Sequence, residues 1–341
     1  MTSLHSVPVQ IGTAVRRFGL PLLRLAVGVI VLWFLVRHVG AAPFEHGLRA
    51  VTWPAVVAAI TLTVLTTVLS AWRWRVVAQA LGISIGLPAA TGAYYRSLFL
   101  NSVLPGGVLG DVHRAVTHGR SAGDVARGVR AVAWERLCGQ VIQALVTVVV
   151  LLTIPSPVRP ALPYILAGLA GLAAAAALMM RSAARRGRSR VPRAVHALAD
   201  DLRGGLLAPD VWPRLILASL LVVAGHTATF VIAARVAGST APLGELLALL
   251  MVVQVATVIP LSIGGWGLRE GAAAWAFAAA GLGAATGVTV ATLYAVLMLA
   301  AVAPGAGLLL GDAVRRRRDK GPSAESTRPD LVLPTLEVVR D

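Results

Sequence analysis

Lysine and cysteine are almost missing from this sequence. There is one of each, Lys320 and Cys138, in 341 residues. A single cysteine excludes an intrachain disulfide and a cysteine-rich metal site. A single lysine near the C-terminus leaves the apolar part of the chain without an amine for Schiff-base or general-base chemistry. Charge is scarce as well. Asp, Glu, Lys and Arg make up 13% of the chain, against about 25% in an average soluble domain. No Walker A sequence, Rossmann glycine pattern or G-x-S-x-G is present, which argues against ATP-driven transport by this chain alone. His226 stands without acidic or cysteine neighbours in sequence, so it does not read as a metal ligand.

What is present is apolar. The hydrophobic share is 57% and the mean hydropathy is +0.78, the composition of an integral membrane protein. The expected fold class is all-α, a polytopic helical bundle with broken glycine-rich helices. The net charge of +16 is carried almost wholly by arginine. Basic residues collect in cytoplasmic loops and face anionic lipid head groups, so this charge does not call for a nucleic-acid partner. Guanidiniums stay charged and grip phosphate in a bidentate fork.

The apolar runs predict about eight spans. They cover Leu20–Val36, Trp53–Ala71, Val132–Thr153, Leu162–Met180, Leu215–Ala234, Leu246–Ile263, Gly271–Leu282 and Val288–Leu310. Trp72-Arg73-Trp74-Arg75 reads as an interface anchor, and Ala89–Leu104 as a re-entrant or interfacial segment. Residues 1–19 read as a cytoplasmic N-terminal segment, 20–312 as the transmembrane domain, and 313–341 as a basic, disordered cytoplasmic tail. The N-terminus, residues 73–130, Arg181–Arg193 and Arg315–Arg318 are all basic. An even number of spans with both termini in the cytoplasm fits them. A bacterial plasma (inner) membrane is the expected location.

Two stretches share a grammar. Leu104–Arg114 reads LPGGVLGDVHR, and Ile259–Gly271 reads IPLSIGGWGLREG. Each breaks an apolar region with consecutive glycines and places charges directly after them. Irregular backbone at membrane depth is tolerated where protein buries it or where it lines a watery cavity. Ionisable residues beside such a break point to function. The first stretch, with what precedes it, offers Arg96, Asn101, Gly106, Gly107, Asp111 and Arg114. The second offers Gly264, Gly265, Trp266, Arg269 and Glu270. Glu135 and Arg136 form a further pair at the head of the third span. Glycine-rich backbone lets N–H groups approach an anion. Three arginine–carboxylate combinations on one membrane face suggest a zwitterionic or phosphate-bearing ligand. The bland reading of each is a tight turn with a helix cap and a snorkelling arginine. His226, Gln140, Gln143 and Gln254, all inside apolar runs, read as interhelical hydrogen-bonding groups.

RSLFLNSVLPGGVLGDVHR (Arg96–Arg114), WERLCG (Trp134–Gly139) and IPLSIGGWGLREG (Ile259–Gly271) together resemble the lysylphosphatidylglycerol synthase transmembrane family, the flippase-like domain of enzymes that make and export aminoacylated phosphatidylglycerol. The resemblance runs over residues 15–312. It implies shared positions at Asn101, Pro105, Gly106, Gly107, Gly110, Asp111, Arg114, Glu135, Arg136, Gly264, Gly265, Gly267, Arg269 and Glu270. Leu109 stands where the family more often has glycine, which puts the backbone of the first turn in question. The aminoacyl-transferase domain of the bifunctional members has no counterpart after the last apolar run, so lysyl transfer is not expected and a stand-alone member is.

The function this implies is translocation of an anionic or zwitterionic phospholipid, a phosphatidylglycerol derivative or a polyprenyl-type lipid, between leaflets. The alternative is a membrane enzyme or subunit acting on polyprenyl-phosphate sugars in envelope glycan assembly. A transporter is favoured over an enzyme, with no cofactor and no metal. The expected partners are a membrane lipid and a separate lipid-modifying enzyme or glycosyltransferase.

Overall fold

The computed structural model describes residues 8–104, 107–156, 159–161, 200–258 and 265–319, with single positions at 163, 167, 171, 178 and 182. Pro105, Gly106, Gly264, most of the expected span at 162–180 and of the basic loop at 181–193, and the tail beyond 319 lie outside the described residues. The described chain is helical throughout. Its helices are α1 (Pro8–Val39), α2 (Ala42–Arg49), α3 (Trp53–Ala80), α4 (Leu87–Val103), α5 (Leu109–Ser121), α6 (Val125–Thr153), α7 (Trp212–Val236), α8 (Leu243–Val258), α9 (Leu268–Ala279), α10 (Ala284–Val302) and α11 (Pro304–Asp319).

Local chemistry sets several of these boundaries. Proline in the first turn opens α2, α3, α4 and α7, where a missing N–H costs nothing. Asp124 caps α6, its carboxylate accepting the Arg127 N–H at 2.9 Å. Gly40, at φ +93°, lets the chain bend by 102° between α1 and α2.

Among the described residues, four stretches are long and apolar enough to cross a membrane: Trp53–Ala80, Val125–Thr153, Trp212–Val236 and Ala284–Arg315. A fifth arises if the bent α1–α2 pair counts as one. That is fewer than the eight expected. The expected seventh span is α9, with 12 residues, about 18 Å of helix against a hydrocarbon core of ~30 Å. The expected sixth is α8, of which 16 residues are described; residues 259–264 after it lie outside the described residues. The 12-residue α9 follows directly on the second glycine stretch.

The main core gathers Phe230 of α7, Leu246, Leu249, Leu250 and Met251 of α8, Phe277 of α9, and Leu293 and Leu297 of α10. Phe230 meets Tyr294 edge to face at 5.7 Å between ring centroids. Lipid is as apolar as leucine, so close packing rather than water exclusion joins such helices, and small residues permit it. A side chain on Gly287 would strike the Ala273 carbonyl, and one on Gly305 the Tyr95 carbonyl. These contacts press α10 onto α9 and α11 onto α4.

Candidate functional site

The site grows from the way α5 folds back on α4. A Cβ on Gly110 would run into the Ser97 backbone, so only glycine allows this approach. The Asn101 carboxamide fixes the turn by accepting the Gly110 N–H at 2.8 Å. Asp111 then lies against α4, and its carboxylate accepts from Ser97 Oγ at 3.0 Å and Asn101 Nδ2 at 3.0 Å. Gly107 takes a positive φ of 63°. Leu109 opens α5 without left-handed backbone.

Glu135 of α6 is fully buried. Its Oε1 accepts from Arg73 Nε at 3.1 Å, from Arg73 Nη2 at 2.5 Å and from the Tyr94 hydroxyl at 3.1 Å. Its Oε2 accepts from Arg114 Nη2 at 3.0 Å. The same Arg114 nitrogen reaches Asp111 Oδ1 at 3.0 Å, and Arg136 Nη2 reaches that oxygen at 2.8 Å. One connected network therefore joins α3, α4, α5 and α6. The Arg114 guanidinium is sandwiched between aromatic faces, 4.5 Å from the Trp74 ring and 4.3 Å from the Tyr94 ring, an attraction that strengthens with desolvation.

Sequence reasoning missed Arg73 and Tyr94. The expected interface anchor at residues 72–75 is corrected here: Arg73 and Trp74 are buried inside the bundle, and Arg73 also donates to Ser219 Oγ of α7 at 2.9 Å. The available signal was an arginine inside an apolar helix, which must find a partner. Trp134 likewise faces protein, its indole N–H donating to Asp201 Oδ2 at 3.0 Å beside Arg130.

The second glycine stretch enters from the other side. Gly265 and Gly267 have φ of 83° and 86°. A Cβ on Gly267 would lie 2.7 Å from the Gly28 carbonyl oxygen, so α1 approaches closely there. Glu270 is buried and turns back on its own helix. Its Oε2 accepts the Gly267 N–H at 2.6 Å, and its Oε1 accepts from Arg269 Nε at 3.1 Å. This is one half of a capping box. The Arg269 guanidinium sits 5.4 Å from the Trp266 ring centroid.

The two stretches meet across cavities. The largest, about 860 Å³, is lined by Gly107 and Asp111 from the first, Gly265 and Arg269 from the second, and Arg136 between them. Its other walls include Val108, Val112, Val129, Leu250 and Val253. A second cavity of about 190 Å³ lies beyond Arg136 and Arg269 and is lined by Thr63, Thr66, Thr67 and Ser70 of α3 with Trp266 and His226. A third, about 210 Å³, shares Arg73, Arg136 and His226 and adds Gln140, Gln143 and Gln254. Arg136 lines all three. Its side chain is 36% exposed, against 6% for Arg73 and 0% for Arg114.

Of the expected site residues, Asn101, Gly107, Asp111, Arg114, Glu135, Arg136, Gly265, Trp266, Arg269 and Glu270 are thus brought to one region. Arg96 stands apart, in an ion pair with Asp312 of α11 at 2.6 Å. Gly106 and Gly264 are outside the described residues.

The charge balance of this region is uneven. Four guanidiniums (Arg73, Arg114, Arg136, Arg269) face three carboxylates (Asp111, Glu135, Glu270). Every oxygen of those carboxylates already accepts a hydrogen bond. Donors are left over: Arg114 Nε and Nη1 and Arg136 Nε are buried without a hydrogen-bond acceptor, while Arg269 Nη2 stands 3.0 Å from Glu270 Oε1. Buried donors without partners are costly, and such a site suits an anion rich in acceptor oxygens.

Comparison with known proteins adds one finding. No curated protein matches the chain. A family model described as the lysylphosphatidylglycerol synthase TM region matches residues 22–305, a stretch that holds both glycine motifs, Glu135 and Arg136, and every helix of the network. The chain is therefore a multi-pass membrane protein belonging to the lysylphosphatidylglycerol synthase TM region family.

Proposed function

We propose that this protein moves a phosphate-bearing lipid, anionic or zwitterionic, between the leaflets of a bacterial plasma membrane. Both termini and both glycine motifs lie on the cytoplasmic side in this reading, as the arginine-rich segments favour. The head group enters the cavity at Arg136 and Arg269, and the acyl chains stay along its apolar valine and leucine wall. The observation that carries the reading is the pair of guanidiniums, Arg136 and Arg269, that line a largely apolar-walled cavity beside the single described carboxylate there, Asp111. Carrying a charged head group through hydrocarbon costs several kcal/mol or more, and a guanidinium-lined recess lowers that cost. The short helix α9, opened by Gly265 and Gly267 at positive φ, resembles the discontinuous helices on which transporters rock about a fixed site.

The test is leaflet exchange in liposomes containing the purified protein, with head-group-labelled phosphatidylglycerol and a labelled polyprenyl phosphate read by quencher accessibility. The wild type accelerates exchange of at least one lipid. Arg136→Gln and Arg269→Ala each slow it about ten- to a hundredfold, as expected for a lost charged hydrogen bond, with membrane insertion intact. Full activity in both variants overturns the assignment.

A further inference from the structure

The sequence places His226 among the interhelical hydrogen-bonding groups, but no described residue hydrogen-bonds its ring. It stands instead in the walls of two cavities, about 190 and 210 Å³, a little past the middle of the 25-residue α7. Gly225 sets this position. A side chain there would strike Thr66 of α3, so glycine lets α7 close on α3 and brings the next residue to a row of hydroxyls. Thr63, Thr66, Thr67 and Ser70 recur at helical spacing along α3 and line the smaller cavity with His226. Gln140, Gln143 and Gln254 line the other. Both spaces are polar and roomy enough for several waters at about 30 Å³ each. The charged and titratable groups that face His226 across them are Arg73 of α3, Tyr94 of α4, Arg136 of α6 and Arg269 of α9. α8 and α10, also packed on α7, add no charged residue to these walls. No carboxylate is among the described lining residues, and Glu135 lies behind Arg73. A titratable group at membrane depth points to function, and histidine is the side chain that changes charge near neutral pH when unperturbed.

We infer that His226 is a proton site coupled to the phosphate site at Arg136: it takes up a proton as a phosphate anion enters and returns it as the anion leaves, which ties lipid movement to a proton gradient. This rests on the lipid-translocation reading above and adds its coupling ion. An imidazole nitrogen forms an N–H bond to a proton delivered by cavity water, and the same bond breaks on release; nothing is oxidised or reduced. The phosphate's negative charge offsets an imidazolium placed beside guanidiniums, so proton and anion each favour the other, and the linkage is reciprocal. Affinity for the anion is therefore high when His226 is protonated and falls as pH rises and the proton leaves. A phosphodiester and a proton that move together carry no net charge through hydrocarbon, where a lone charge is expensive.

The experiment is binding of radiolabelled phosphatidylglycerol to the full chain in detergent, between about pH 5 and pH 8, a range in which its phosphodiester does not titrate. The wild type binds about five- to tenfold more tightly at the acid end, and lipid addition to weakly buffered protein draws protons from solution, followed with a pH-indicator dye. His226→Gln keeps hydrogen-bonding capacity but cannot be protonated. It binds with the affinity that the wild type shows at the alkaline end, and pH no longer changes it. In liposomes given a pH step, the wild type drives labelled phosphatidylglycerol to one leaflet, whereas His226→Gln lets it exchange to an even distribution. A wild type that takes up no proton on binding overturns the inference whether or not the variant folds. A His226→Gln variant with the wild-type pH dependence also overturns it. Both results leave lipid binding standing. The absence of saturable phosphatidylglycerol binding at every pH overturns the lipid reading itself.

Discussion

The two glycine motifs use the same residue types to opposite ends. In the first, Asp111 and Arg114 reach outward, and with Glu135 they tie four helices together. In the second, Glu270 turns inward to the Gly267 N–H and to Arg269, its neighbour in sequence. One motif spends its charges on tertiary structure; the other keeps a local pair and presents a guanidinium to the cavity. Arginine beside glutamate in a glycine-rich sequence therefore does not fix a role. The role depends on whether the carboxylate's partners come from distant helices or from its own first turn.

The contrast breaks first on the carboxylates. Glu135→Ala leaves Arg73 and Arg114 buried without their shared counter-charge. Removing one partner of a buried ionic network costs about 3–5 kcal/mol. The variant should express poorly and melt well below the wild type in detergent. Glu270→Ala frees one backbone N–H and one guanidinium that already borders a cavity. The expected cost is about 1–3 kcal/mol, with a folded protein that has lost much of its lipid exchange. Equal melting points for the two variants would erase the distinction between a tertiary and a local role.

The glycines sharpen the contrast further. Gly110→Ala pushes a methyl into the Ser97 backbone and parts α4 from α5. Gly267→Ala meets the Gly28 carbonyl at 2.7 Å and must also hold a φ of +86°. Overpacking alone costs about 1–3 kcal/mol, so both variants lose stability. Their readouts differ. Gly110→Ala displaces Asp111 from Ser97 and Asn101 and disturbs the whole network, whereas Gly267→Ala loosens α9 against α1 and acts on Arg269. Limited proteolysis with cleavage mapped along the chain distinguishes them, by new cuts near 104–124 in the first and near 265–280 in the second.

Much of this was legible in the sequence. Charges after glycine breaks identify Asp111 and Arg269, and a charged pair at the head of an apolar run identifies Arg136, because hydrocarbon tolerates such groups only with partners or water. The sequence could not assign partners. Arg73 read as an interface anchor because it follows an apolar run between two tryptophans, a pattern shared by buried and interfacial arginines alike. Tyr94 carried no signal, since a tyrosine in a helix declares its hydroxyl partner only when Glu135 arrives from 41 residues away. Arg96 had the same type and neighbourhood as the site arginines, and only the packing of α11 shows that it pairs with Asp312. The span count of eight is more than the four or five that the described residues carry. Hydropathy measures how apolar a run is, not how long its helix is, and α9 has only 12 residues.

The smallest effect concerns the caps of the two helices that carry the site. Asp124 caps α6 in water, and Glu270 caps α9 within the protein. The backbone N–H of Arg127 holds the Asp124 carboxyl below its ordinary value of 3.8, with the Arg127 and Arg130 charges assisting. A carboxyl whose pKa is depressed by folding stabilises the folded state above its unfolded pKa. That contribution fades as pH falls through the folded value. The Asp124 cap should thus be at full strength at neutral pH and weaken only below about pH 4. Asp124→Ala should lower the melting point slightly at pH 7, and the difference from wild type should shrink toward pH 3. Asp124→Asn keeps an oxygen for the Arg127 N–H and should retain most of the cap while losing its pH dependence. A melting difference for Asp124→Ala that stays constant from pH 7 to pH 3 would show that the carboxylate's charge contributes nothing at this end of α6, and that the cap works by hydrogen bonding alone.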